Sequence, residues 1–323
     1  MKVIYMGTPD FAVETLKSVA KHHEVLAVFT QPDKPKGRGK KLASPPVKLV
    51  AEELGFTVYQ PDKIRKEHWP TLIKDYKPDV IVVVAYGQIL SQEILDIPKF
   101  GCINVHGSLL PSYRGAAPIN WAIADGLETT GVTTMLMAAG IDTGDMLLKS
   151  EVSVDRKTAG ELFEELAVVG ADLLIETLER LEKGTIIPVP QIDAESSHAM
   201  MLDKNVTRID WHMSAKQIEN RIRGFNPWPI AHTQLDEVTF KIFSAKNLDN
   251  EEFSSLSNLS ASDINIFKTS VPGEIVFKDK KAIYVKTGEG VLRVDELQLG
   301  SNKRMLTQAF LLGNDVEIGK ILI

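Results

Sequence analysis

Short apolar runs alternate with amphipathic segments along the N-terminal part of the chain. Val3–Met6 and Val25–Thr30 are apolar runs of strand length, and Thr8–His22 between them has helical spacing. Such a strand–helix–strand unit predicts the start of a parallel sheet, because parallel strands need a crossover between them. Val80–Ala85 is a continuous, mainly β-branched run, which is typical of a strand buried on both faces. Thr158–Lys183 has apolar residues at helical spacing and predicts one long amphipathic helix.

The pattern changes near residue 185. From there to about residue 208 the periodicity fails and prolines intervene, which indicates a linker. Beyond it, alternating polar and apolar runs with hairpin-like breaks predict a small antiparallel barrel. These runs are Phe240–Ser244, Gly273–Phe277, Ala282–Lys286 and Gly290–Leu297. Asn250–Ser262 is polar and rich in serine, and we expect a mobile insertion there.

The length of the chain agrees with two domains. A chain of 323 residues exceeds what a single hydrophobic core usually supports. The sequence therefore predicts an α/β fold. A mostly parallel sheet domain (residues 1–184) is followed by a linker (185–208) and an antiparallel barrel domain (209–323).

Candidate catalytic residues lie at the end of one predicted strand and after another. Cys102–His106 alternates polar and apolar residues, so Asn104 and His106 share one face of a strand. Asp142 follows a second predicted strand, Val132–Met137. If the two strands are parallel neighbours, their C-terminal ends meet, and Asp142 is expected to reach His106. Each residue alone has an ordinary structural explanation. The combination of an amide, an imidazole and a carboxylate at one sheet edge favours a catalytic site.

Composition and charge narrow the class of protein. The formal net charge of −6 argues mildly against binding nucleic acid by bulk electrostatics, so any such binding depends on local basic clusters. The densest basic cluster, the basic segment, comprises residues 34–41. Cys102 is the only cysteine, which excludes an internal disulfide and fits a reducing compartment. We see neither a signal peptide nor an apolar run long enough to span a membrane, and we expect a cytoplasmic protein.

Longer motifs surround the candidate residues and run nearly from end to end. They are GTPDFA (7–12), TQPDKP (30–35), GRGKKL (37–42), VVVAYGQIL (82–90), GCINVHGSLLPSYRG (101–115), RGAAPI (114–119), DTGDM (142–146), TAGEL (158–162) and FNPWP (225–229). In these motifs the chain resembles the 10-formyltetrahydrofolate-dependent formyltransferases. The basic segment and FNPWP narrow the resemblance to the branch that formylates methionine carried on initiator tRNA.

The resemblance implies a fold and a reaction. The first domain would be Rossmann-like with the formyltransferase fold, and the barrel would resemble the oligonucleotide-binding (OB) fold. A formyl group would pass from 10-formyltetrahydrofolate to the α-amine of methionyl initiator tRNA. This chemistry needs no metal, and since nothing in the sequence requires an oligomer, we expect a monomer. Asn104 and protonated His106 would stabilise the oxyanion of the tetrahedral intermediate. Asp142 would favour the imidazolium and relay a proton.

The resemblance also implies binding residues. The implied folate contacts are Ser108, Leu109, Leu110, Pro111, Tyr86, Gly87, Ile89 and Leu90. The implied tRNA contacts are Lys36, Arg38, Lys40, Lys41, Arg223, Lys303 and Arg304; for each of the last three, an ordinary surface charge is the alternative.

Other functions stay open at this point. A formyltransferase acting on an amino sugar, or a formyl-folate hydrolase, can carry a similar second domain, whereas the glycinamide nucleotide enzyme lacks the basic segment and the barrel. A catalytically inactive RNA-binding protein is the alternative from a different class. The chain also departs from the family pattern at Ser112 and Tyr113, where Arg-Trp is expected, and at Ala138, where an acidic residue is expected.

Overall fold

The computed structural model describes residues 1–36, 41–66 and 68–323. These residues divide into two compact units. The first unit contains Met1–Pro118, Thr129–Ser153 and Glu161–Met200, and the second contains Ile119–Glu128, Val154–Gly160 and Met201–Ile323.

The elements up to residue 200 follow the predicted alternation of strands and helices. In chain order they are β1 (Lys2–Gly7), α1 (Phe11–His22), β2 (Glu24–Phe29), β3 (Lys34–Lys36), β4 (Lys41–Ala43), α2 (Pro46–Glu53), β5 (Val58–Tyr59), α3 (Trp69–Tyr76), β6 (Val80–Val84), α4 (Gln92–Leu95), β7 (Cys102–His106), β8 (Arg114–Gly115), α5 (Pro118–Ala124), β9 (Thr129–Leu136), β10 (Met146–Ser153), α6 (Ala159–Glu182) and β11 (His198–Ala199).

A seven-stranded, mostly parallel sheet forms the centre of the first unit. Its strand order is β10-β9-β7-β6-β1-β2-β5. All five residues of β6 are buried, as the β-branched run predicts. Buried side chains from β1, β2, β6 and α4 form an apolar cluster that includes Phe29 and Ile94. The Thr177 hydroxyl of α6 hydrogen-bonds that of Thr134 in β9 at 2.8 Å, which ties this helix to the sheet. The α/β fold class is confirmed.

The sheet corrects one step of the reasoning that led to Asp142. We predicted β7 and β9 to be parallel, but β9 runs antiparallel to β7, with Asn104 opposite Met135. The C-terminal end of β9 therefore lies beside the start of β7 rather than beside its end. The chain after β9 has to fold back along the sheet before any of its side chains can approach His106.

The basic segment also differs from expectation. Its glycines and prolines predicted no regular structure, yet β3 and β4 pair as an antiparallel ladder, with Lys34 opposite Ala43. Pro35 lies within β3, and a two-stranded ladder tolerates it because both of its strands are edge strands.

The elements after residue 200 belong to the second unit. They are α7 (Ala215–Gly224), β12 (His232–Leu235), β13 (Val238–Leu248), α8 (Asn250–Ser254), α9 (Ala261–Thr269), β14 (Ile275–Lys278), β15 (Ile283–Lys286), β16 (Val291–Leu299), β17 (Met305–Leu306) and α10 (Thr307–Leu311). The strands form an antiparallel, curled sheet in the order β12-β13-β16-β15-β14, and β17 pairs with β16. Ser214 and Gln217 form a reciprocal capping box that fixes the start of α7.

The prediction of a mobile insertion at residues 250–262 is wrong. It contains α8 and the start of α9, and each helix begins with a capping box, at Asp249 and Ser260. Phe253 is fully buried, and its ring centroid lies 4.9 Å from that of Phe267 and 5.9 Å from that of Tyr284. One large aromatic side chain anchors the segment. Its otherwise polar composition therefore did not indicate that the segment is ordered.

Phe253→Ala is therefore expected to lower the free energy of unfolding by about 3–5 kcal/mol, since the truncation leaves a cavity in an aromatic cluster. Denaturant unfolding of the full chain measures the change. Leu312→Ala is the control, because Leu312 is 88% exposed, and it should change stability by less than about 0.5 kcal/mol. A loss below about 1 kcal/mol for Phe253→Ala would contradict the packing of this segment.

Candidate active site

The three predicted catalytic side chains meet at the end of β7 in the first unit. Asp142 contacts both of the others: its Oδ1 lies 3.5 Å from Asn104 Nδ2, and its Oδ2 lies 3.6 Å from His106 Nδ1. His106 is 6% exposed, whereas Asn104 is half-buried. The prediction that Asp142 reaches His106 is confirmed, although the strand geometry that suggested it is not.

Both ring nitrogens of His106 face acceptors. Nε2 donates to the carbonyl oxygen of Tyr113 at 2.9 Å, while Nδ1 faces the Asp142 carboxylate. Nε2 of His106 is therefore occupied by the Tyr113 carbonyl oxygen, and Nδ1 is the ring nitrogen that faces the Asp142 carboxylate.

The main chain holds the Asp142 carboxylate in place. The Gly115 N–H donates to Asp142 Oδ2 at 2.9 Å. Gly115 has a φ of +118°, and a Cβ at this position would lie 2.7 Å from the carbonyl oxygen of Ala199. Only glycine fits here, because both the conformation and the close approach exclude a side chain. The RG of the RGAAPI motif thus supplies a backbone donor to the candidate site.

A tight turn after β9 carries Asp142 back along the sheet. Asp142 itself has a left-handed backbone with a φ of +52°. A Cβ on Gly144 would lie 1.7 Å from the carbonyl oxygen of Leu136, so the turn packs directly on the end of β9. The DTGD sequence thus places a glycine where the two chain segments have no room for a side chain, which is why the turn can fold back sharply enough to bring Asp142 to His106.

Two residues of this arrangement were missed in the sequence. Gln191 Nε2 donates to the carbonyl oxygens of Asp142 and Gly144 at 2.8 and 2.7 Å. Its Oε1 accepts from Arg114 Nε at 2.9 Å. Arg114 lies in a motif that carried the resemblance, so it could have been noticed. Gln191 lies in the predicted linker, where no periodicity or motif marks it.

The predicted folate wall at residues 86–90 follows β6, the parallel neighbour of β7, so it leaves the same sheet edge as the catalytic strand. The carbonyl oxygen of Tyr86 accepts from Thr8 Oγ1 at 2.9 Å and from Gln31 Nε2 at 3.2 Å.

Tyr86 is 2% exposed, and burial raises the pKa of its phenol, which stays neutral. Leu90 is buried and Ile89 is 65% exposed. Gly87 has a φ of +81°, which suits a glycine in the turn.

The second predicted folate segment, Ser108–Pro111, is held by internal hydrogen bonds. Ser108 Oγ donates to the carbonyl oxygen of Ser112 at 2.6 Å, and Thr133 Oγ1 donates to the carbonyl oxygen of Ser108 at 2.7 Å. Ser108 and Leu110 are fully buried, whereas Leu109 and Pro111 are partly exposed. Leu109 and Pro111 can therefore contact a ligand through their side chains. The segment as a whole offers a rigid surface.

The residues predicted to contact tRNA differ in the interactions that their side chains make within the protein. Arg38 and Lys40 lie outside the described residues, and for Lys36 and Lys41 only the main chain is described. Arg223 donates to the carbonyl oxygens of Lys157 and Asp155 at 2.8 and 3.2 Å, and burial lowers the pKa of its guanidinium. This geometry favours a structural role for Arg223.

The other two predicted contacts lie near β17. Arg304 makes two hydrogen bonds of 2.7 Å to the Glu296 carboxylate, and its guanidinium carbon lies 4.4 Å from the ring centroid of Phe243. Lys303 is exposed. Of these two cations, Lys303 is the more accessible to a phosphate, because the Arg304 charge is already paired.

The described part of the chain offers neither a cysteine thiolate nor a group of metal-binding side chains. Burial raises the pKa of the Cys102 thiol to about 12, so this residue is a thiol rather than a thiolate at neutral pH. Within residues 1–36, 41–66 and 68–323, no three His, Cys, Asp or Glu side chains are grouped to hold a metal ion. In the same ranges no helix is long and apolar enough to cross a membrane.

Comparison with protein families gives two matches in order along the chain. Residues 1–178 match the model described as formyl transferase, and residues 201–315 match formyl transferase, C-terminal domain. The methionyl-tRNA formyltransferase of Alkaliphilus metalliredigens is 50% identical over 324 residues, covering 100% of this chain and 98% of the relative. The methionyl-tRNA formyltransferase of Clostridioides difficile is 48% identical, with both chains covered completely.

Solved structures with low identity share the fold. A sugar 3N-formyl transferase, WlaRD, is 18% identical with a TM-score of 0.63, and the alignment covers 94% of this chain and 99% of WlaRD. HypX from Aquifex aeolicus, solved in complex with tetrahydrofolic acid, is 17% identical with a TM-score of 0.60 over 99% of this chain and 50% of HypX. At this identity the likeness shows the fold alone.

Proposed function

The chain belongs to the formyl transferase family, and from that premise we propose that it transfers the formyl group of 10-formyltetrahydrofolate to the α-amino group of methionine on initiator tRNA. Relatives about half identical over their full length carry the name methionyl-tRNA formyltransferase, which supports this acceptor over an amino sugar. The product is N-formylmethionyl-tRNA for translation initiation.

The observation that carries the proposal is the contact of one carboxylate with both an amide and an imidazole. The Asp142 carboxylate lies 3.5 Å from Asn104 Nδ2 and 3.6 Å from His106 Nδ1. Formyl transfer to an amine develops negative charge on the formyl oxygen and requires a proton to leave the amine and reach the departing nitrogen. The site offers an amide donor, an imidazole and a carboxylate, and the carboxylate lies within 3.6 Å of each of the other two.

The chemistry of this chain's residues follows from these positions. The bound folate supplies the activated formyl group. A free α-amine has a pKa of about 8, and esterification of the methionine carboxyl lowers it, so much of the acceptor amine is neutral and nucleophilic near neutral pH. Asn104 Nδ2 donates to the developing oxyanion with the N–H that does not face Asp142. Protonated His106, whose ring nitrogens face Tyr113 and Asp142, stabilises the oxyanion by its positive charge, and each contribution is worth roughly 3 kcal/mol. Asp142 accepts the proton lost by the amine and returns it to the leaving nitrogen.

The folate site is proposed at the shared edge of β6 and β7. Residues 86–90 and Ser108–Pro111 both leave this edge, and their main chains are fixed by the hydrogen bonds already described. The exposed side chain of Ile89 and the partly exposed Leu109 and Pro111 offer apolar surface. A flat heterocycle with polar edges fits rigid loops that combine apolar side chains with backbone donors and acceptors.

The direct test is formyl transfer by the purified chain from 10-formyltetrahydrofolate to charged tRNA. Initiator methionyl-tRNA, elongator methionyl-tRNA, free methionine and a nucleotide-linked amino sugar are compared as acceptors. We expect efficient transfer to the initiator alone. Release of formate without transfer would indicate a hydrolase, and transfer to the amino sugar would indicate a sugar enzyme; either result overturns the proposed acceptor.

The basic segment is proposed to contact tRNA phosphates. Replacing its four predicted contacts by alanine is expected to raise KM for tRNA by about tenfold or more near physiological salt, with kcat changed less than about threefold, because phosphate contacts supply binding rather than chemistry. The four residues are Lys36, Arg38, Lys40 and Lys41. The dependence of log KM on log salt should also become shallower.

A smaller charge change outside the basic segment serves as the control for this variant. Lys17 and Lys21 are exposed on α1, and their replacement by alanine should leave KM and the salt dependence unchanged. An unaltered salt dependence in the basic-segment variant would contradict phosphate contact.

Three further parts of the proposal concern organisation. Residues 1–184 are proposed as the catalytic domain, 185–208 as a linker and 209–323 as a tRNA-binding OB-like domain. A monomer is proposed, and a cytoplasmic location is proposed because aminoacyl-tRNA and folate are the substrates.

A further inference from the structure

The conformation of Asp142 requires support from outside its own turn. Its φ of +52° lies in the left-handed region, which L-residues adopt only occasionally. Its side chain must nevertheless point toward both Asn104 and His106. A carboxylate that has to meet two partners from an unfavourable backbone conformation is misplaced by small shifts of the turn.

Gln191 provides that support from the segment between the two family matches. Its Nε2 donates to the carbonyl oxygens of Asp142 and Gly144, two residues apart, at 2.8 and 2.7 Å. One amide group thus uses both of its N–H donors on the turn that carries Asp142. The family matches cover residues 1–178 and 201–315, so Gln191 lies in neither of them.

Arg114 fixes the orientation of the Gln191 amide. Arg114 Nε donates to Gln191 Oε1 at 2.9 Å, which directs the two N–H donors of the amide toward the turn. The side chain of Arg114 is 5% exposed and lies within 2.9 Å of Asp193 Oδ1. The residue after Arg114, Gly115, donates its N–H to Asp142 Oδ2. The contacts therefore close a ring from the Asp142 carbonyl oxygen through Gln191 and Arg114 to the Asp142 carboxylate.

The main chain near Gln191 is itself anchored to the sheet. Val189 pairs with Met146 at the start of β10, with N–H···O distances of 2.8 and 2.9 Å. Gln191 lies two residues beyond this pairing. Its side chain thus bridges a fixed strand and the Asp142 turn, rather than moving with a loose linker.

We propose that Gln191, held by Arg114, is a positioning residue that orients Asp142 for proton transfer, so that the segment between the two family matches completes the catalytic site. The inference rests on the proposed function, because it assigns Asp142 a role in formyl transfer. Misplacing a reacting group by about 1 Å costs up to roughly a hundredfold in rate. The loss should fall on kcat, since none of the contacts described for Gln191 reaches a described residue of the proposed substrate-binding segments.

The test uses two variants of the full-length protein. Gln191→Glu keeps the size and the acceptor for Arg114 but has no N–H to donate, and its charge faces two carbonyl oxygens. Gln191→Met keeps the length without any hydrogen bond. Both are expected to lower kcat for transfer to initiator methionyl-tRNA by roughly 10–100-fold, with KM for folate and tRNA within about threefold of wild type. Thermal unfolding gives the folded fraction to which each kcat is referred.

Gln298→Met is the matched control. Gln298 Nε2 also donates to a main-chain carbonyl, that of Asn302 at 2.6 Å, but it lies on β16 in the other unit. This variant should retain wild-type kcat. A wild-type kcat per folded molecule in Gln191→Glu, or a change confined to KM, would overturn the positioning role.

The wild-type assay separates this inference from the proposed function. If the wild type transfers formyl to methionyl-tRNA and the Gln191 variants are unaffected, the function stands and the positioning role fails. If the wild type only releases formate, the proposed acceptor fails. In that case the same fall in kcat is expected for formate release, and its absence would overturn the positioning role as well.

Discussion

Asp142→Asn is expected to lower kcat for formyl transfer by about a thousandfold or more, equivalent to roughly 4 kcal/mol of transition-state stabilisation. Asparagine has the same shape, and its carbonyl oxygen can still accept from the Gly115 N–H. It cannot take up the proton released by the amine, and it presents a neutral group to His106. Steady-state kinetics with initiator methionyl-tRNA measures the loss.

The fold should survive this substitution. Gln191 binds the carbonyl oxygen of Asp142, which the change does not touch, so the melting temperature should stay within a few degrees of wild type. Asp145→Asn is the control, because it makes the same chemical change in the same DTGD turn at a residue that contacts neither Asn104 nor His106 in the described interactions. Activity within tenfold of wild type for Asp142→Asn would rule out proton relay by Asp142.

His106→Gln is expected to lower kcat by about a hundredfold to a thousandfold, since the variant loses the positive charge beside the oxyanion. Glutamine can place an amide N–H near the position of His106 Nε2 and keep the hydrogen bond to the Tyr113 carbonyl oxygen. The variant should therefore remain folded. His106→Ala should lose a similar factor in kcat and also some stability, because His106 is 6% exposed and its truncation leaves a cavity.

His22→Gln is the matched control for this pair. His22 Nδ1 also lies 2.8 Å from a main-chain carbonyl oxygen, that of Ser18, but it is exposed on α1. Its replacement should leave both kcat and stability unchanged. If His106→Gln retains more than about a tenth of wild-type kcat, oxyanion stabilisation by the imidazolium is excluded.

The site was partly predictable because its residues fall at the ends of strands with strong local patterns. Alternation in Cys102–His106 placed Asn104 and His106 on one face, and the structure brings both to Asp142. The reason given for Asp142 was wrong, since β9 is antiparallel to β7. The antiparallel order was not visible because hydrophobic periodicity reports which face of a strand is buried, not the direction of its neighbour.

Other features depended on contacts between distant parts of the sequence. The order of residues 250–262 rests on Phe253, whose partners Phe267 and Tyr284 lie further along the chain. A polar segment with one buried anchor has the composition of a mobile loop. Local composition predicts mobility only where no distant residue covers the apolar side chain.

The sequence by itself determined most of the strands and helices, though not β3, β4 or α8, and the chemistry available at one sheet edge. Side-chain period, capping residues and the motifs around Asn104, His106 and Asp142 are local properties, and local physics is enough to interpret them. Only the tertiary structure decided how Asp142 is held. Gln191 follows Asp142 by 49 residues, and a hydrogen bond across that separation depends on the path of the whole sheet, which no local pattern specifies.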